Sequence, residues 1–251
     1  MSTSGKKTIV VTGATRGIGR GLLENFAQCD TCETVIGICR SDSPHLSELT
    51  SKFEGNNKVK IFGADVTDCH SLTQVVDQLK KANLQPDVVI ANAGIITPAK
   101  PIWDVSEQEM NESYQVNVRG VFNTMKAFLP LLKDRQNSMI VNVSSAWGTC
   151  GRAGHVTYCM SKFAVEGMTK AAALDVEKHK TAVVSVDPGM VYSDMLIEAF
   201  GEAEAKKIGA PCEKFIPHFV NKIMSIDKSK SGQHLDFSLE SGGAGPRVTG
   251  K

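Results

Sequence analysis

Short runs rich in Val and Ile alternate with longer amphipathic segments along the chain, and this alternation restricts the fold more than any other feature. The runs predict strands at 8–12, 34–38, 58–62, 87–91, 138–144, 182–186 and 234–238. The segments between them predict helices at 17–28, 69–82, 107–133, 157–178 and 213–226. Near-continuous apolar strands are buried on both faces, which indicates a parallel sheet covered by helices. The pattern therefore predicts one doubly wound α/β domain over residues 1–240, followed by a flexible Gly-rich tail at 241–251.

Composition excludes several classes of partner. The formal net charge of the 251 residues is +1, which gives no overall field to steer nucleic acid or an anionic membrane. No apolar run approaches the roughly 20 residues of a membrane-spanning helix, and the first residues do not resemble a signal peptide. Seven cysteines without framework spacing indicate reduced thiols and a cytoplasmic protein. Cys29 and Cys32 form a lone CxxC, which we interpret as ordinary thiols.

A glycine-rich turn, VVTGATRGIG, links the first strand to the first helix. Gly13, Gly17 and Gly19, with Ile18 between the last two, allow the backbone to approach a pyrophosphate at the amino end of a helix. Many such turns need glycine only for their geometry. Its place after the first strand of the βαβ series favours a dinucleotide site of the Rossmann type.

The end of the second strand indicates which nucleotide is bound. Cys39 occupies the position where an NAD-binding unit carries its ribose-binding carboxylate, Arg40 follows, and Asp42 lies three residues late. An arginine fork suits a phosphate, and Arg16 in the glycine turn adds a second cation. Taken singly, each arginine could be a solvated surface residue. Together they predict NADP.

Tyr158 and Lys162 are spaced four residues apart in TYCMSKFAV, so they share one face of a helix. An ammonium beside a phenol lowers the phenol pKa below its free value of about 10. The pair could therefore exchange a proton near neutral pH. Taken alone, the pair is better interpreted as a surface pair on an amphipathic helix.

Six motifs occur in the order and spacing of the short-chain dehydrogenase/reductases: TGATRGIG, ANAG at 91–94, NVRG at 117–120, VNVSS at 141–145, YCMSK and DPGMVYSDM at 187–195. The chain resembles that family over residues 8–238, in its compact single-domain branch. It looks most like small NADP-dependent carbonyl reductases of the sepiapterin-reductase-like and benzil-reductase-like kind. The resemblance implies a Rossmann-type domain with a mostly parallel sheet of about seven strands and helices on both faces.

The resemblance also implies a catalytic set of Asn117, Ser145, Tyr158 and Lys162. Ser145 is preferred to Ser144 because the family serine lies thirteen residues before the tyrosine. Tyr158 is expected to donate a proton to the carbonyl oxygen and Lys162 to lower the Tyr158 pKa and bind the nicotinamide ribose. Asn117 is expected to hold a water that links Lys162 to solvent.

The same resemblance implies the binding residues. Asp65 corresponds to the residue that accepts from the adenine amino group; its alternative role as a helix N-cap suits Thr67 or Asp68 better. The expected cofactor contacts are Gly13, Arg16, Gly17, Ile18, Gly19, Arg40, Asp65, Val66, Asn92, Ala93, Gly94, Tyr158, Lys162, Pro188, Gly189, Val191 and Ser193. The expected substrate pocket is Ile95, Trp147, Cys150, His155, Met190 and Tyr192, with no metal. His155 could equally be an exposed loop residue, and 194–215 is a candidate flexible lid.

The function expected from this set is NADPH-dependent reduction of a ketone, aldehyde or diketone to the alcohol, with a small-molecule carbonyl substrate and no nucleic-acid or membrane partner. One alternative is an NADP-binding regulator on the same fold without turnover. Another is an interaction protein that uses its long helices at 107–133 and 157–178. In the family, those helices imply a homodimer.

Overall fold

The computed structural model describes residues 5–239, so the predicted tail at 241–251 lies outside the described residues. Seven parallel strands form one sheet in the order β3-β2-β1-β4-β5-β6-β7. Their bounds are β1 Lys7–Thr12, β2 Cys32–Cys39, β3 Val59–Gly63, β4 Val88–Ala91, β5 Ser138–Val143, β6 Thr181–Asp187 and β7 His234–Asp236. Every predicted strand is present. The first six contain Val or Ile, whereas the short edge strand β7 is only three residues long and partly exposed.

Helices connect the strands and cover both faces of the sheet. Their bounds are α1 Gly17–Gln28, α2 Leu46–Lys52, α3 Cys69–Lys81, α4 Glu107–Ser113, α5 Gly120–Leu132, α6 Val156–Asp175, α7 Asp194–Phe200, α8 Glu202–Ile208 and α9 Cys212–Met224. A wide π-helical turn, Tyr114–Arg119, joins α4 to α5. The single helix predicted at 107–133 is therefore three consecutive segments.

The segment predicted as a flexible lid is largely helical. α7 and α8 occupy most of it, and Leu196, Ala199 and Ala205 are buried. Gly201, with φ at 76°, separates the two helices in a conformation that a side chain would strain. The sequence did not indicate these helices because each is only seven residues long, too short to show a periodic pattern.

The apolar core lies on both faces of the sheet. On one face, Phe26 of α1 packs with Phe215 and Phe219 of α9, and all three side chains are fully buried. On the other face, α3, α5 and α6 cover the strands, with Phe128 at the centre. Burying one such side chain stabilises the fold by about 1.5–3 kcal/mol. The sheet is thus a rigid platform that fixes the residues at its ends.

Strand order reverses between β1 and β4, which lie side by side at the centre of the sheet. Connections leave these two strands in opposite directions, so a crevice opens above their carboxyl ends. The glycine turn follows β1, and the ANAG turn follows β4. Within residues 5–239, no helix is long and apolar enough to cross a membrane.

Candidate active site

Tyr158 and Lys162 lie on α6 and are almost completely buried, with 8% and 5% of their surfaces exposed. The Lys162 ammonium donates a hydrogen bond to the Val143 carbonyl at the end of β5, at 2.8 Å. It lies 5.3 Å from the centroid of the Tyr158 ring. The alternative of a surface pair is therefore wrong, because burial and a β5 contact fix both side chains.

Burial dominates the protonation of this pair. It raises the pKa of Tyr158, the nearby Asp187 carboxylate raises it further, and the hydrogen bond with Ser145 lowers it only in part. Burial also lowers the pKa of Lys162 to about 8, against the Asp187 and Glu166 carboxylates, which raise it. The prediction that Lys162 pulls the Tyr158 pKa below its free value is wrong for the protein alone. Desolvation of the phenolate outweighs any attraction to the ammonium.

Ser145 and Ser144, the two serines that compete for the catalytic position, face different neighbours. Ser145 caps a short 3₁₀ turn by accepting from the Trp147 backbone N–H at 3.2 Å, and its hydroxyl is hydrogen-bonded with the Tyr158 phenol. The Ser144 hydroxyl instead lies against the Glu166 carboxylate. Successive residues leaving a strand point to opposite sides, which accounts for the difference.

Asn117 lies in the π-helical turn and is completely buried. Its amide oxygen accepts from the Ile95 N–H at 2.8 Å, and its amide nitrogen donates to the Ile95 carbonyl at 2.8 Å and to Ser161 Oγ at 3.1 Å. These bonds tie the helix to the end of the ANAG turn and to α6. Wide turns of this kind occur frequently at functional sites. The amide of Asn117 is thus engaged by protein groups on both sides.

The glycine turn is shaped to receive an anion at the start of α1. The N-cap residue, Arg16, makes no side-chain capping bond, and the first turn of α1 contains no acidic residue. Gly13 and Gly17 have positive φ angles of 69° and 54°, which turn the backbone sharply into the helix. The uncapped N–H groups and the helix dipole fit the pyrophosphate of a dinucleotide, with no carboxylate in the first turn to repel it.

The ANAG turn braces the glycine turn. Asn92 donates through its amide to the carbonyl oxygens of Thr12 at 2.9 Å and Gly13 at 3.4 Å. Thr12 Oγ1 accepts from the backbone N–H groups of Asn92 and Ala93 at 3.0 and 3.2 Å. A Cβ on Gly13 would lie 2.8 Å from the Ala93 Cα, so only glycine fits there. Asn92 therefore holds the two turns together.

The predicted NADP selectors lie at the exposed edge of this site. Arg16 and Arg40 have 55% and 62% of their side chains exposed, and each lies 3.6 Å from a carboxylate, Asp194 and Asp42 respectively. Cys39 is buried in the core, with its sulfur 3.9 Å from the Phe62 carbonyl. Burial raises the pKa of Cys39 to about 11, so the thiol is neutral.

Asp65 follows β3 and closes a tight turn by accepting from the Thr67 N–H at 2.8 Å, and the buried Val66 comes next. Asp68, not Asp65, caps α3, because its carboxylate accepts from the His70 N–H at 2.9 Å. Asp65 is thus available for a role other than capping, as the sequence indicated.

A mostly apolar cavity of about 140 Å³ lies in front of Tyr158 and Ser145. Three of the six predicted pocket residues line it, namely Trp147, Cys150 and Met190. Six of the predicted cofactor residues also line it: Ile18, Tyr158, Pro188, Gly189, Val191 and Ser193. The other three predicted pocket residues, Ile95, His155 and Tyr192, are not among its lining residues. The lining residues outside the predicted sets are Ile96, Ser144, Ala146, Asp187, Met195, Leu196, Ala199, Phe200, Asp236 and Ser238. Four of these residues belong to α7, and no sequence motif indicates that this helix packs over the site.

His155 is buried behind the cavity wall. Its ring stacks on Trp147 with centroids 4.9 Å apart and contacts Phe200 at 5.7 Å. Desolvation, and then the nearby Arg152 cation, lower the pKa of His155. The alternative of an exposed loop histidine is therefore wrong. His155 supports Trp147 from behind and is neutral at physiological pH.

Comparison with known proteins assigns the family. Residues 7–204 match the family model of the short chain dehydrogenases. The chain is 34% identical over 197 residues to the NADPH-dependent pterin aldehyde reductase of Arabidopsis thaliana, covering 78% of this chain and 80% of the relative. The chain therefore belongs to the short chain dehydrogenase family.

Solved structures agree on the fold. A short chain dehydrogenase from Shigella flexneri complexed with NADP superposes with a TM-score of 0.81 at 25% identity, covering 93% of this chain and 97% of the other. A carbonyl reductase from chicken fatty liver, solved with NADPH, has the same TM-score at 23% identity and the same coverage, and shows the fold alone. The predicted Rossmann-type fold and the predicted family are both confirmed.

Proposed function

We propose that this chain is an NADPH-dependent carbonyl reductase that converts an aldehyde, ketone or diketone to the alcohol. The observation that carries the proposal is the buried arrangement of Ser145, Tyr158 and Lys162 at the wall of an apolar cavity, beside an uncapped helix terminus. The predictions of NADP as cofactor and of a short chain oxidoreductase acting on carbonyl groups are confirmed by the relatives.

Bound NADPH supplies the hydride that reduces the carbonyl carbon. The protein's part is to hold the carbonyl oxygen and to supply its proton. The hydroxyls of Ser145 and Tyr158 are hydrogen-bonded to each other at the cavity wall, so one oxygen atom can contact both. As negative charge grows on that oxygen, both hydroxyls stabilise it and the Tyr158 O–H bond transfers its proton.

The protonation states suit reduction. Because burial raises the pKa of Tyr158, the phenol keeps its proton at neutral pH until a stronger base, the nascent alkoxide, removes it. The Lys162 ammonium, 5.3 Å from the ring centroid, then stabilises the phenolate that remains. Following the family resemblance, Lys162 also binds the nicotinamide ribose. Asn117 orders the proton path from Lys162 to solvent.

The cofactor residues divide into two groups. The pyrophosphate and adenine side of the cofactor binds to the turn glycines, Asn92, Ala93, Gly94, Asp65 and Val66. The nicotinamide side binds to Pro188, Gly189, Val191 and Ser193. Arg16 and Arg40 select NADP by contacting its extra phosphate. Trp147, Cys150 and Met190 form the apolar wall for the substrate, which favours carbonyl compounds with a hydrophobic or aromatic body.

The test is a panel of aldehydes, ketones, diketones and quinones, with NADPH absorbance as the readout. We expect turnover with at least one class and none in the matched Tyr158→Phe variant. The rival function, an NADP-binding regulator, predicts normal NADPH binding with no turnover on any compound of the panel.

We also propose that the protein is a cytoplasmic homodimer. Its seven cysteines are all free thiols. Exposed apolar side chains cluster on α4, the π-helical turn, α5 and α6: Met110, Tyr114, Phe122, Val156, Met160, Phe163 and Leu174. An apolar face of this kind is typical of an interface between subunits. Light scattering should give twice the chain mass for the wild type and the single mass for Phe163→Glu; a monomeric wild type would contradict the proposal.

A further inference from the structure

Glu166 is a buried carboxylate that the mechanism above does not use. It lies on α6 one helical turn after Lys162, with 5% of its surface exposed. Its Oε2 accepts from the Ser185 hydroxyl on β6 at 2.8 Å, and its Oε1 accepts from His234 Nδ1 on β7 at 2.9 Å. Ser185 and His234 are direct partners across the β6–β7 pairing. Three elements of the fold therefore converge on this one side chain.

The surroundings keep Glu166 charged although it is buried. Burial alone would raise the pKa of Glu166, but the hydrogen bonds from His234 and Ser185, with the nearby Ser144 hydroxyl, outweigh burial and hold the pKa below its usual value. The same hydrogen bond raises the pKa of His234, against desolvation. Keeping an ion in the interior is costly unless it is fully bonded, so a buried charge retained in this way indicates a purpose beyond packing.

Two lysines lie four residues from Glu166 along the helix, the buried Lys162 and the exposed Lys170, and only Lys162 is in the interior with Glu166. Residues four apart on a helix are neighbours, with Cβ atoms about 5–6 Å apart. Burial disfavours the Lys162 ammonium, and the two carboxylates that oppose this effect are Asp187 and Glu166. Asp187, at the end of β6, also faces Tyr158, and its own pKa is raised by burial despite a bond from the Gly189 N–H. Asp236 faces Asp187 and His234.

We propose that Glu166 is a positioning residue for the reaction: held by Ser185 and His234, its carboxylate keeps the Lys162 ammonium charged and directed at the Val143 carbonyl. This inference rests on the proposed function, in which Lys162 must carry its proton while Tyr158 loses its own. His234 has 23% of its side chain exposed and links the carboxylate to solvent, whereas Asp187 has no such connection among its described bonds. Glu166 is therefore a carboxylate that stays charged through its bonds to Ser185 and His234, neither of which lines the active-site cavity.

The test is the titration of Lys162 in the protein without cofactor or substrate, followed by the ¹³Cε chemical shift and assigned by its loss in Lys162→Met. We expect Glu166→Gln to lower the Lys162 pKa by about one unit or more, the usual effect of losing a close opposite charge. In steady-state kinetics, the alkaline limb of the kcat profile should move to lower pH by the same amount. Glu166→Asp, which keeps the charge, should restore both.

Ser185→Ala is the matched control, because it removes one hydrogen bond to Glu166 and leaves both charges. It should lower the melting temperature and move the Lys162 titration by clearly less than Glu166→Gln does, because the carboxylate and its bond to His234 remain. If Glu166→Gln does not fold because His234 loses its partner, the double variant with His234→Gln removes both ionisable groups and should show the same decrease. A Lys162 pKa that is unchanged in the folded variant overturns the proposal and leaves Glu166 a purely structural tie. Because the titration needs no turnover, absence of reductase activity would count against the proposed function alone.

Discussion

The wall of the cavity and the exposed edge of the cofactor site both depend on charged or polar side chains. At the wall these side chains are buried and fixed, whereas at the edge they are exposed to solvent. Tyr158 and Lys162 are more than nine-tenths buried and fixed by bonds to Ser145 and Val143. Arg16 and Arg40 are more than half exposed, and each lies near one exposed carboxylate. Electrostatic interactions strengthen as water is excluded and weaken in its presence.

That difference teaches how the site divides its work. Buried groups have shifted pKa values and one geometry each, so they suit proton transfer, which can slow by about a hundredfold when a group is misplaced by about 1 Å. Exposed arginine side chains can adopt several conformations, and salt screens their charge. They therefore suit the weaker task of discriminating between two cofactors that differ by one phosphate. Removing a wall residue should therefore change the rate by orders of magnitude, and removing an edge residue should change selectivity modestly.

The largest effect is expected for Tyr158→Phe, which removes the proton donor and leaves the ring. We expect kcat to fall by about 10²–10⁴, the usual contribution of a general acid. Affinity for NADPH should be nearly unchanged, measured by fluorescence titration. Tyr192→Phe is the control, because Tyr192 is half-buried and does not line the cavity. A rate near that of the wild type in Tyr158→Phe would show that the wall does not supply the proton.

The second effect separates the two adjacent serines. Ser145→Ala should reduce kcat by about 10²–10³, as expected for the loss of one donor to a developing oxyanion. Ser144→Ala should change kcat little, because its hydroxyl lies against Glu166 instead of Tyr158. The two variants make the same chemical change, Ser to Ala, at adjacent positions, so each is the control for the other. The reverse pattern would mean that Ser144 faces the substrate.

The third effect is a dependence on pH at the wall. Burial lowers the pKa of Lys162 to about 8, so its ammonium is present below that pH and is lost as the pH rises through it. We expect kcat and NADPH affinity to decline together above pH about 8. Lys162→Met, which keeps the length of the side chain, should lower kcat by about a hundredfold and remove this limb. If kcat of Lys162→Met still declines above pH about 8, the decline comes from the titration of a group other than Lys162.

The smallest effect is expected at the exposed edge. Arg40→Ala should reduce the preference for NADPH over NADH by about tenfold to a hundredfold, the value of one charge-assisted hydrogen bond of about 1.5–3 kcal/mol. Added salt should erode the preference of the wild type, because the contact is exposed. Lys178→Ala, an equal loss of charge in the turn before β6, is the control. Equal dissociation constants for NADPH and NADH in the wild type would mean that both arginines point into solvent.

The sequence predicted the sheet and most of the helices because their signal is local. Each of the first six strands contains Val or Ile residues in a short run, and a run of that kind favours burial wherever it is placed. The helix α2 and the division of 194–208 into α7 and α8 were missed because seven-residue helices complete too few turns to show a periodic pattern. The wide turn at Asn117 was missed because its sequence does not interrupt the helical pattern.

At the site, the sequence could predict which residues lie together but not how their surroundings would shift their pKa values. Motif spacing placed Ser145, Tyr158 and Lys162 together. It did not show how completely Tyr158 would be buried, which is why the direction predicted for the Tyr158 pKa was wrong. Ile96, Met195 and Phe200 line the cavity only because distant segments fold over it, so no local pattern could identify them.

The central position of the first strand also has a consequence for how the chain is made. Thr8 of β1 bonds to Asp87 just before β4, 79 residues later in the chain. At a synthesis rate of about 5–20 residues per second, β1 leaves the ribosome about 4–16 s before that partner is made. During this interval one hydrogen-bonding edge of a strand with the apolar centre Ile9–Val11 has no native neighbour. The speed of translation across α2 and α3, and not the stability of the finished fold, sets how long that edge must be protected.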